Sequence, residues 1–384
     1  MQPLVPILFT KEIERVPHIE GAPAFTGIQT RRPVYVTERA VVALHAQQAG
    51  IGRRLFVEYT GSDAITIPYW NGESLDGKRV AYMHDGLLGD ECIHTSVYAQ
   101  LRQNYPRMDL HAFPERTSSE NHRLLGYNRD IGGNPRNRNF WFTAEQIEGF
   151  DYWITPINVG HVFRGISEKT QYELLEDELC ISIETKCPYL YIAGIERQTI
   201  RSLVHSGAVR TVGEEAGGRI MSLIEAGKLI VLQLNASEQC RTPRPMLWVD
   251  VAMQLRAAIP DMVFAVCGDD RDVSRFHEMG GNRIEGVIYE MNNPATRQIH
   301  LSPYGLLYFL ERAQLVICPD SFFMHGAAAF DTPTLAIWQD DPEAIEEGRV
   351  PSPQSRIKHY DYCEATGIST EASAIVDHAI SLLR

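Results

Sequence analysis

The chain has few cysteines and none of the cysteine spacings that bind zinc or carry out thiol redox chemistry. Its seven cysteines are scattered, odd in number and never spaced as Cys-x-x-Cys. This indicates neither a disulfide framework nor a zinc knuckle, and we expect reduced, buried thiols. The first residues lack a basic segment followed by an apolar one, and no apolar run reaches the roughly 18 residues of a membrane span. We therefore expect a cytoplasmic protein without a membrane span.

The chain also lacks the positive charge that would collect a polyanion. Its formal net charge is -13 and its pI is about 5.5, which disfavours nucleic acid as a partner. A small anionic ligand is still compatible with this charge, because a few placed groups hold such a ligand. The glycines at 86 and 89 do not form the G-x-G-x-x-G pattern of nicotinamide enzymes. Ser321 does not lie in the G-x-S-x-G pattern of serine hydrolases.

The sequence predicts an α/β fold with two lobes. A chain of 384 residues, 44% hydrophobic and 22% charged, is long enough for two globular domains. From residue 78 onward, short apolar segments alternate with amphipathic ones, which is typical of β-α-β units and a parallel sheet. We predict two Rossmann-like parallel-sheet lobes facing a cleft, with ligands at the carboxyl ends of the strands. The predicted parts are an N-terminal extension of unknown role (1–77), a first Rossmann-like lobe (78–225), a second Rossmann-like lobe (226–345) and a C-terminal tail with a helix (346–384).

The first segment that could carry chemistry runs from Gly86 to Thr95, directly after the predicted strand Arg79–Met83. Gly86 and Gly89 permit a tight turn and a close approach of ligand to backbone, and we predict a helix beginning at Asp90. Asp90 could be a general base that takes a proton from an acceptor hydroxyl. It could equally be a helix N-cap, whose pKa the helix dipole would lower. Local sequence leaves both interpretations open.

The second segment runs from Val316 to Phe330. Its strand delivers Asp320 and Ser321 to a carboxyl end, and the following helix directs its N–H groups to the same point, as diphosphate sites do. His325 follows Ser321 by one helical turn, and the small residues after it would let the helix lie close to the sheet. The alternative is an Asp N-cap with a core histidine, and the convergence of polar and small residues favours the functional interpretation.

The third segment is the loop from Asn235 to Pro245, after the predicted strand 228–234. Ala236 and Ser237 suit backbone contact with phosphate, and Arg241 or Arg244 could offset the charge of a departing diphosphate. An ordinary loop with solvated arginines is nearly as well supported.

A cluster of aspartates follows Gly268, which ends another predicted strand. Asp269, Asp270 and Asp272 could hold Mn²⁺ or Mg²⁺. The alternative, a polar turn that touches a nucleoside, is better supported because the cluster lies in the second of two serial lobes.

These segments together resemble glycosyltransferase family 9, the heptosyltransferase-like group with the two-domain GT-B fold. The resemblance covers about residues 79 to 345. Phe322 stands where the family usually has glycine, and Arg241 where lysine is common. The N-terminal match consists of Gly89-Asp90, His94-Thr95, Leu101-Arg102 and Tyr105-Pro106. The C-terminal match consists of Asp320-Ser321, His325, Ala327 to Ala329, Pro333-Thr334 and Asp341-Pro342.

The resemblance implies an inverting, metal-independent transfer of a sugar from a nucleoside-diphosphate sugar, such as an ADP-heptose-like donor, to an acceptor hydroxyl, with no cofactor. Asp90 would be the catalytic base, and Ser321, His325 and Arg241 would stabilise the leaving diphosphate. The lobe 78–225 would be the acceptor lobe, with Gly89, His94 and Thr95 on the acceptor side, and the lobe 226–345 would be the donor-binding lobe. The donor-binding set would be Asn235, Ala236, Ser237, Arg241, Gly268, Asp320, Ser321, Phe322, Phe323 and His325.

The sequence leaves the partners and two alternatives open. The acceptor could be a glycan, a protein or a small molecule. The same fold could serve a sugar-nucleotide epimerase or hydrolase, or a non-catalytic sugar-nucleotide-binding subunit. In either a transferase or such a subunit, the N-terminal extension could form an interface of a homo-oligomer.

Overall fold

The computed structural model divides the chain into two compact units, Met1–Lys186 and Cys187–Arg384. Within the described residues, no helix is both long enough and apolar enough to cross a membrane. The structure describes residues 4–9, 13–16, 25–28, 34–37, 57–59, 70–84, 88–114, 128–131, 149–154, 156, 170–205, 210–212, 217–236, 242–284, 286–290, 303–319, 321–337, 364–366 and 371–384.

The N-terminal extension contributes antiparallel strands to the first unit. One sheet has the order β4-β1-β5, and β2 pairs with β3 in a separate two-stranded sheet. The strands are β1 (Leu4–Phe9), β2 (Ile13–Val16), β3 (Phe25–Ile28), β4 (Val34–Thr37) and β5 (Val57–Tyr59). The role predicted for this segment in oligomerisation stays a prediction.

The rest of the first unit contains the predicted β-α-β unit. Strand β6 (Arg79–His84) is followed by helix α1 (Leu88–Asn104) and by β7 (Asp109–Pro114). Strand β8 (Tyr152–Ile154) pairs with the other edge of β6, and all three strands are parallel in the order β7-β6-β8. Helix α2 (Gln171–Leu179) follows.

The segment from Tyr189 to Ile192 differs from the sequence prediction. Its apolar residues predict a strand in the first lobe, but the segment is irregular in the structure and belongs to the second unit. Leu190 and Ile192 are nevertheless buried. Their apolar character reflects this burial, whereas a strand also needs a hydrogen-bonded neighbour, and no described strand pairs with this segment.

The second unit is built on a seven-stranded sheet with the order β15-β14-β13-β10-β11-β12-β9. Strand β9 is antiparallel to β12, and every other pair is parallel. Strands β10, β11, β13 and β14 are buried along their whole length, as expected for parallel strands covered on both faces. The strands are β9 (Arg210–Val212), β10 (Leu229–Gln233), β11 (Val263–Gly268), β12 (Gly286–Glu290), β13 (Leu315–Pro319), β14 (Thr334–Ile337) and β15 (Glu364–Thr366).

Seven helices of the described residues belong to this unit. They are α3 (Gly194–His205), α4 (Gly217–Glu225), α5 (Pro245–Ala258), α6 (Asp270–Glu278), α7 (Pro303–Arg312), α8 (Phe322–Ala328) and α9 (Ala372–Leu382). A short 3-10 helix, Gly281–Arg283, follows α6. Helices α5 and α9 pack against each other, and Trp248 of α5 and Ile375 of α9 both lie in the main core cluster.

The division between the units lies earlier in the chain than the predicted boundary after residue 225. The reason is tertiary: β9 joins the sheet of the second unit through β12, and α3 packs against α7. Likewise, the segment predicted as a tail supplies the edge strand β15 and the buried side of α9. These pairings connect segments far apart in the sequence, which a local pattern does not reveal.

Candidate functional site

The second unit has a topological switch point at the carboxyl end of its sheet. From β10 the chain continues to β11 and β12 on one side, and then returns to place β13, β14 and β15 on the other. The six parallel strands therefore have the Rossmann order, which reverses between β10 and β13. Open α/β sheets bind their ligands in the crevice at such a point, outside the carboxyl ends of the strands.

Two side chains meet at this switch point. Ser321 is the N-cap of α8, and its Oγ accepts a hydrogen bond from the Phe323 N–H at 3.3 Å. The same hydroxyl donates to Oε1 of Gln233, the last residue of β10, whose side chain is 4% exposed. The predicted site residue Ser321 thus lies at the switch point. It is hydrogen-bonded to Gln233, which was not among the residues predicted from the sequence. The available signal was a polar residue at the end of an otherwise apolar strand.

The carboxyl ends of β10 and β11 bring two further polar residues together. Asn235 Nδ2 donates to Asp269 Oδ2 at 3.4 Å, and Asp269 Oδ1 accepts from the Asp272 N–H at 2.9 Å as the N-cap of α6. Asn235 Oδ1 is buried and accepts no hydrogen bond from the described residues. Burial and the neighbouring Asp269 carboxylate raise the pKa of Asp272. The polar turn that we predicted after Gly268 is therefore the start of helix α6. Next to it, the amide oxygen of Asn235 lies at the end of the sheet without a hydrogen-bond donor among the described residues.

Two small residues predicted to contact the donor have local roles in the structure. The Ala236 N–H, which we predicted to contact phosphate, donates to Thr242 Oγ1 at 3.1 Å. A Cβ at Gly268 would lie 3.3 Å from the Leu234 side chain, so this glycine lets β10 and β11 end close together. Three other predicted donor-site residues, Ser237, Arg241 and Asp320, lie outside the described residues.

Helix α8 places the remaining predicted donor residues. His325 and Phe323 are buried, Phe322 is partly exposed, and the two phenylalanine rings meet edge to face at 6.1 Å. We predicted that small residues let this helix lie close to the sheet. The helix does contact β13 and β14, but the contact that requires glycine is with α7, because a Cβ at Gly326 would lie 2.7 Å from Leu310 Cδ1.

The catalytic candidate Asp90 lies in the first unit. It is the third residue of α1, in the acidic first turn, and is partly exposed. The helix begins at Leu88, so Gly89 is helical, whereas Gly86, the other glycine of the predicted turn, lies outside the described residues. A carboxylate in a first helical turn is stabilised by the helix dipole. This position is compatible with both roles that the sequence left open.

The other two acceptor-side candidates face the interior of the first unit. His94 is 5% exposed and Thr95 is fully buried. His94 Nδ1 is 2.9 Å from the Tyr82 hydroxyl, and its ring lies against that of His84 with centroids 4.3 Å apart. Burial, with a smaller contribution from His84, holds the pKa of His94 well below its ordinary value. The Thr95 hydroxyl donates to the Cys92 carbonyl.

The described residues contain no group of three His, Cys, Asp or Glu side chains that could hold a metal ion. Asp269 and Asp272 instead form the helix start of α6, and the side chain of Asp270 is not described. The predicted metal-independent reaction remains a prediction.

The fold and the switch point define a Rossmann-type α/β protein, and solved structures share this fold. The chain is similar to a family 9 glycosyl transferase from Veillonella parvula DSM 2008, with 13% identity, a TM-score of 0.55, and coverage of 81% of this chain and 98% of that one. It is also similar to the E. coli ADP-heptose LPS heptosyltransferase II, with 13% identity, a TM-score of 0.51, and coverage of 79% and 98%. No family model and no curated protein sequence matches the chain. The similarity thus lies in the fold, and it confirms the predicted parallel-sheet α/β class of the GT-B glycosyltransferases.

Proposed function

We propose that this chain is a glycosyltransferase that moves a sugar from a nucleoside-diphosphate sugar to an acceptor hydroxyl. The observation that carries the proposal is the polar pair Gln233 and Ser321 at the switch point of a Rossmann sheet. The sheet belongs to a chain whose fold is shared with two glycosyltransferases. An ADP-heptose-type donor is the first to be tested, because one of these neighbours is an ADP-heptose transferase.

The second unit would hold the donor. The diphosphate would lie at the carboxyl ends of β10 and β13, near Gln233 and Ser321. Ser237, Arg241 and Asp320 keep the donor-binding roles that the sequence predicts for them. Asn235 Oδ1, which accepts no hydrogen bond from the described residues, would accept one from a hydroxyl or amino group of the nucleoside. Such placed hydrogen-bond donors and acceptors stabilise the charge of a departing diphosphate best where water is excluded.

The first unit would supply the base. Asp90 would remove the proton of the acceptor hydroxyl while its oxygen attacks the anomeric carbon of the donor sugar. The bond from that carbon to the diphosphate oxygen breaks in the same step, and the nucleoside diphosphate leaves with the bonding electrons. Attack from the face opposite the leaving group inverts the configuration of the sugar. No metal enters this scheme.

Nucleoside diphosphates should stabilise the protein against unfolding. We expect one of ADP, UDP, GDP or CDP, or its sugar derivative, to add about 2.7 kcal/mol at 100 times its Kd. A thermal-shift screen measures this, and we expect the same shift with and without EDTA. The proposal is wrong if no nucleotide shifts the transition. Turnover of the selected donor without any acceptor would instead indicate an epimerase or hydrolase.

Replacing Asp90 should abolish turnover and leave donor binding intact. Loss of a general base typically slows a reaction about 100- to 10,000-fold. We expect this loss in Asp90→Ala and Asp90→Asn, with donor affinity within about threefold of wild type, because the residues of the proposed donor site belong to the other unit. Initial rates and calorimetric titration measure the two quantities. An equal loss of donor binding would give Asp90 a structural role.

A further inference from the structure

The single hydroxyl proton of Ser321 is already used in a hydrogen bond within the protein. Ser321 has one hydroxyl proton and two lone pairs. One lone pair accepts from the Phe323 N–H, and the proton goes to Gln233 Oε1. A phosphate oxygen is an acceptor and needs a proton from the protein. In this arrangement the Ser321 hydroxyl has none to give.

Gln233 has the donors that Ser321 lacks. Its carbonyl oxygen is turned toward Ser321, which orients the planar carboxamide and leaves the NH₂ group, in the same plane, directed away from the Ser321 hydroxyl. The side chain is 4% exposed, so surrounding atoms limit its rotation. Gln233 ends β10, the strand at which the sheet order reverses, where a ligand is expected. A ligand facing this NH₂ group must present acceptor atoms.

We propose that, of this pair, Gln233 contacts the donor diphosphate, through its amide nitrogen, and that Ser321 is a positioning residue that holds the Gln233 amide in place. This inference rests on the proposed donor site and changes the role predicted for Ser321. Helix α8 then serves to anchor Ser321, whose hydroxyl caps its first turn.

Substitutions of the two residues separate these roles. Gln233→Met keeps the length of the side chain and removes the carbonyl and the NH₂ group of the amide. Gln233→Glu keeps an acceptor for the Ser321 hydroxyl and replaces the NH₂ group with a negatively charged oxygen. Ser321→Ala removes the positioning hydroxyl, whereas Ser321→Thr retains both a hydroxyl and the helix cap. Gln100→Met is a matched control, because Gln100 is a buried glutamine of the first unit that uses both amide groups in hydrogen bonds.

Titration calorimetry with ADP, UDP, inorganic pyrophosphate and the two nucleosides tests the proposal. We expect Gln233→Met to weaken diphosphate binding about 10- to 100-fold, as for loss of a hydrogen bond to a charged group, and Gln233→Glu to weaken it further. Ser321→Ala should weaken it less than Gln233→Met and should add little to it in the double variant. Ser321→Thr and Gln100→Met should bind as wild type does. The affinity for the two nucleosides should change little in all of these variants. A general loss of folding would instead weaken nucleoside and diphosphate binding alike.

Each other outcome overturns one of the two proposals. If wild type binds ADP or UDP and Gln233→Met binds it equally well, the role of Gln233 is wrong and the donor site stands. If Ser321→Ala loses more affinity than Gln233→Met, Ser321 is the direct contact. If wild type binds neither pyrophosphate nor any of ADP, UDP, GDP and CDP, the proposed function is wrong as well. Thermal unfolding of each variant identifies any that fail to fold, and Gln233→Glu then remains as the variant that keeps the Ser321 bond.

Discussion

His94 is an ionisable imidazole in the interior of the first unit. It lies beside His84 and the Tyr82 hydroxyl, and burial holds its pKa well below the ordinary 6.5. The unfolded chain therefore binds a proton near pH 6.5, whereas the folded chain keeps this ring neutral. Below that pH the unfolded state binds more protons, so the folded state loses stability as the pH falls.

The lowered pKa of His94 predicts that the first unit loses stability in acid. We expect the free energy of unfolding to fall more steeply between pH 7 and pH 5 in wild type than in His94→Gln. The excess is at most about 1.4 kcal/mol per pH unit for one titrating group. Urea unfolding at several pH values measures the slope, and the absolute stability of the variant does not enter the comparison. Equal slopes would show that His94 titrates alike in both states.

The residues differ in how far the sequence predicts them. Asp90 and Ser321 were recognisable because each follows a strand and lies at or near a helix start. Gln233 was overlooked, because a polar residue at the end of an apolar strand is only a weak signal and its contact with Ser321, 88 positions away, is not visible in the sequence. His94 and Thr95 were read as acceptor-side residues, and their burial became visible only in the packed unit.

At the scale of elements, helix α8 shows how a small residue acts through packing. Gly326 allows α8 to approach α7, with Leu310 and Leu307 nearest to the missing Cβ. The segment was predicted as a helix from its spacing, and the structure confirms it over Phe322–Ala328. Which neighbour the glycine faces depends on the order of the surrounding elements.

A bulky residue at Gly326 should therefore destabilise the second unit. We expect Gly326→Val to cost about 1–3 kcal/mol, as for an overpacked interior. Gly194→Val is the control, because nothing lies within 4 Å of a Cβ at the start of α3, and its effect should stay within about 0.5 kcal/mol. Denaturant unfolding measures both. An equal effect of the two substitutions would rule out the packing explanation.

At the scale of the whole molecule, the second unit depends on the last segment of the chain. Helix α9 packs against α5 and contacts β13, and its Ile375 side chain is fully buried. We expect Ile375→Ala to cost about 2–5 kcal/mol and to speed amide exchange in α5 and β13. Ile195→Ala removes the same groups from a side chain that is 65% exposed and should change little. If the two variants are equally stable, α9 does not belong to this core.

The sequence by itself determined the α/β class and the alternation of strands and helices from residue 78 onward. It also showed which polar and small residues follow the strands at Gly268 and Ser321. It could do so because period, apolar runs, glycine and proline act locally along the chain. Only the tertiary structure decided where the two units divide, which strands neighbour one another, and that Gln233 meets Ser321 where the strand order reverses. These features depend on hydrogen bonds and packing between distant segments, whose partners no local pattern specifies.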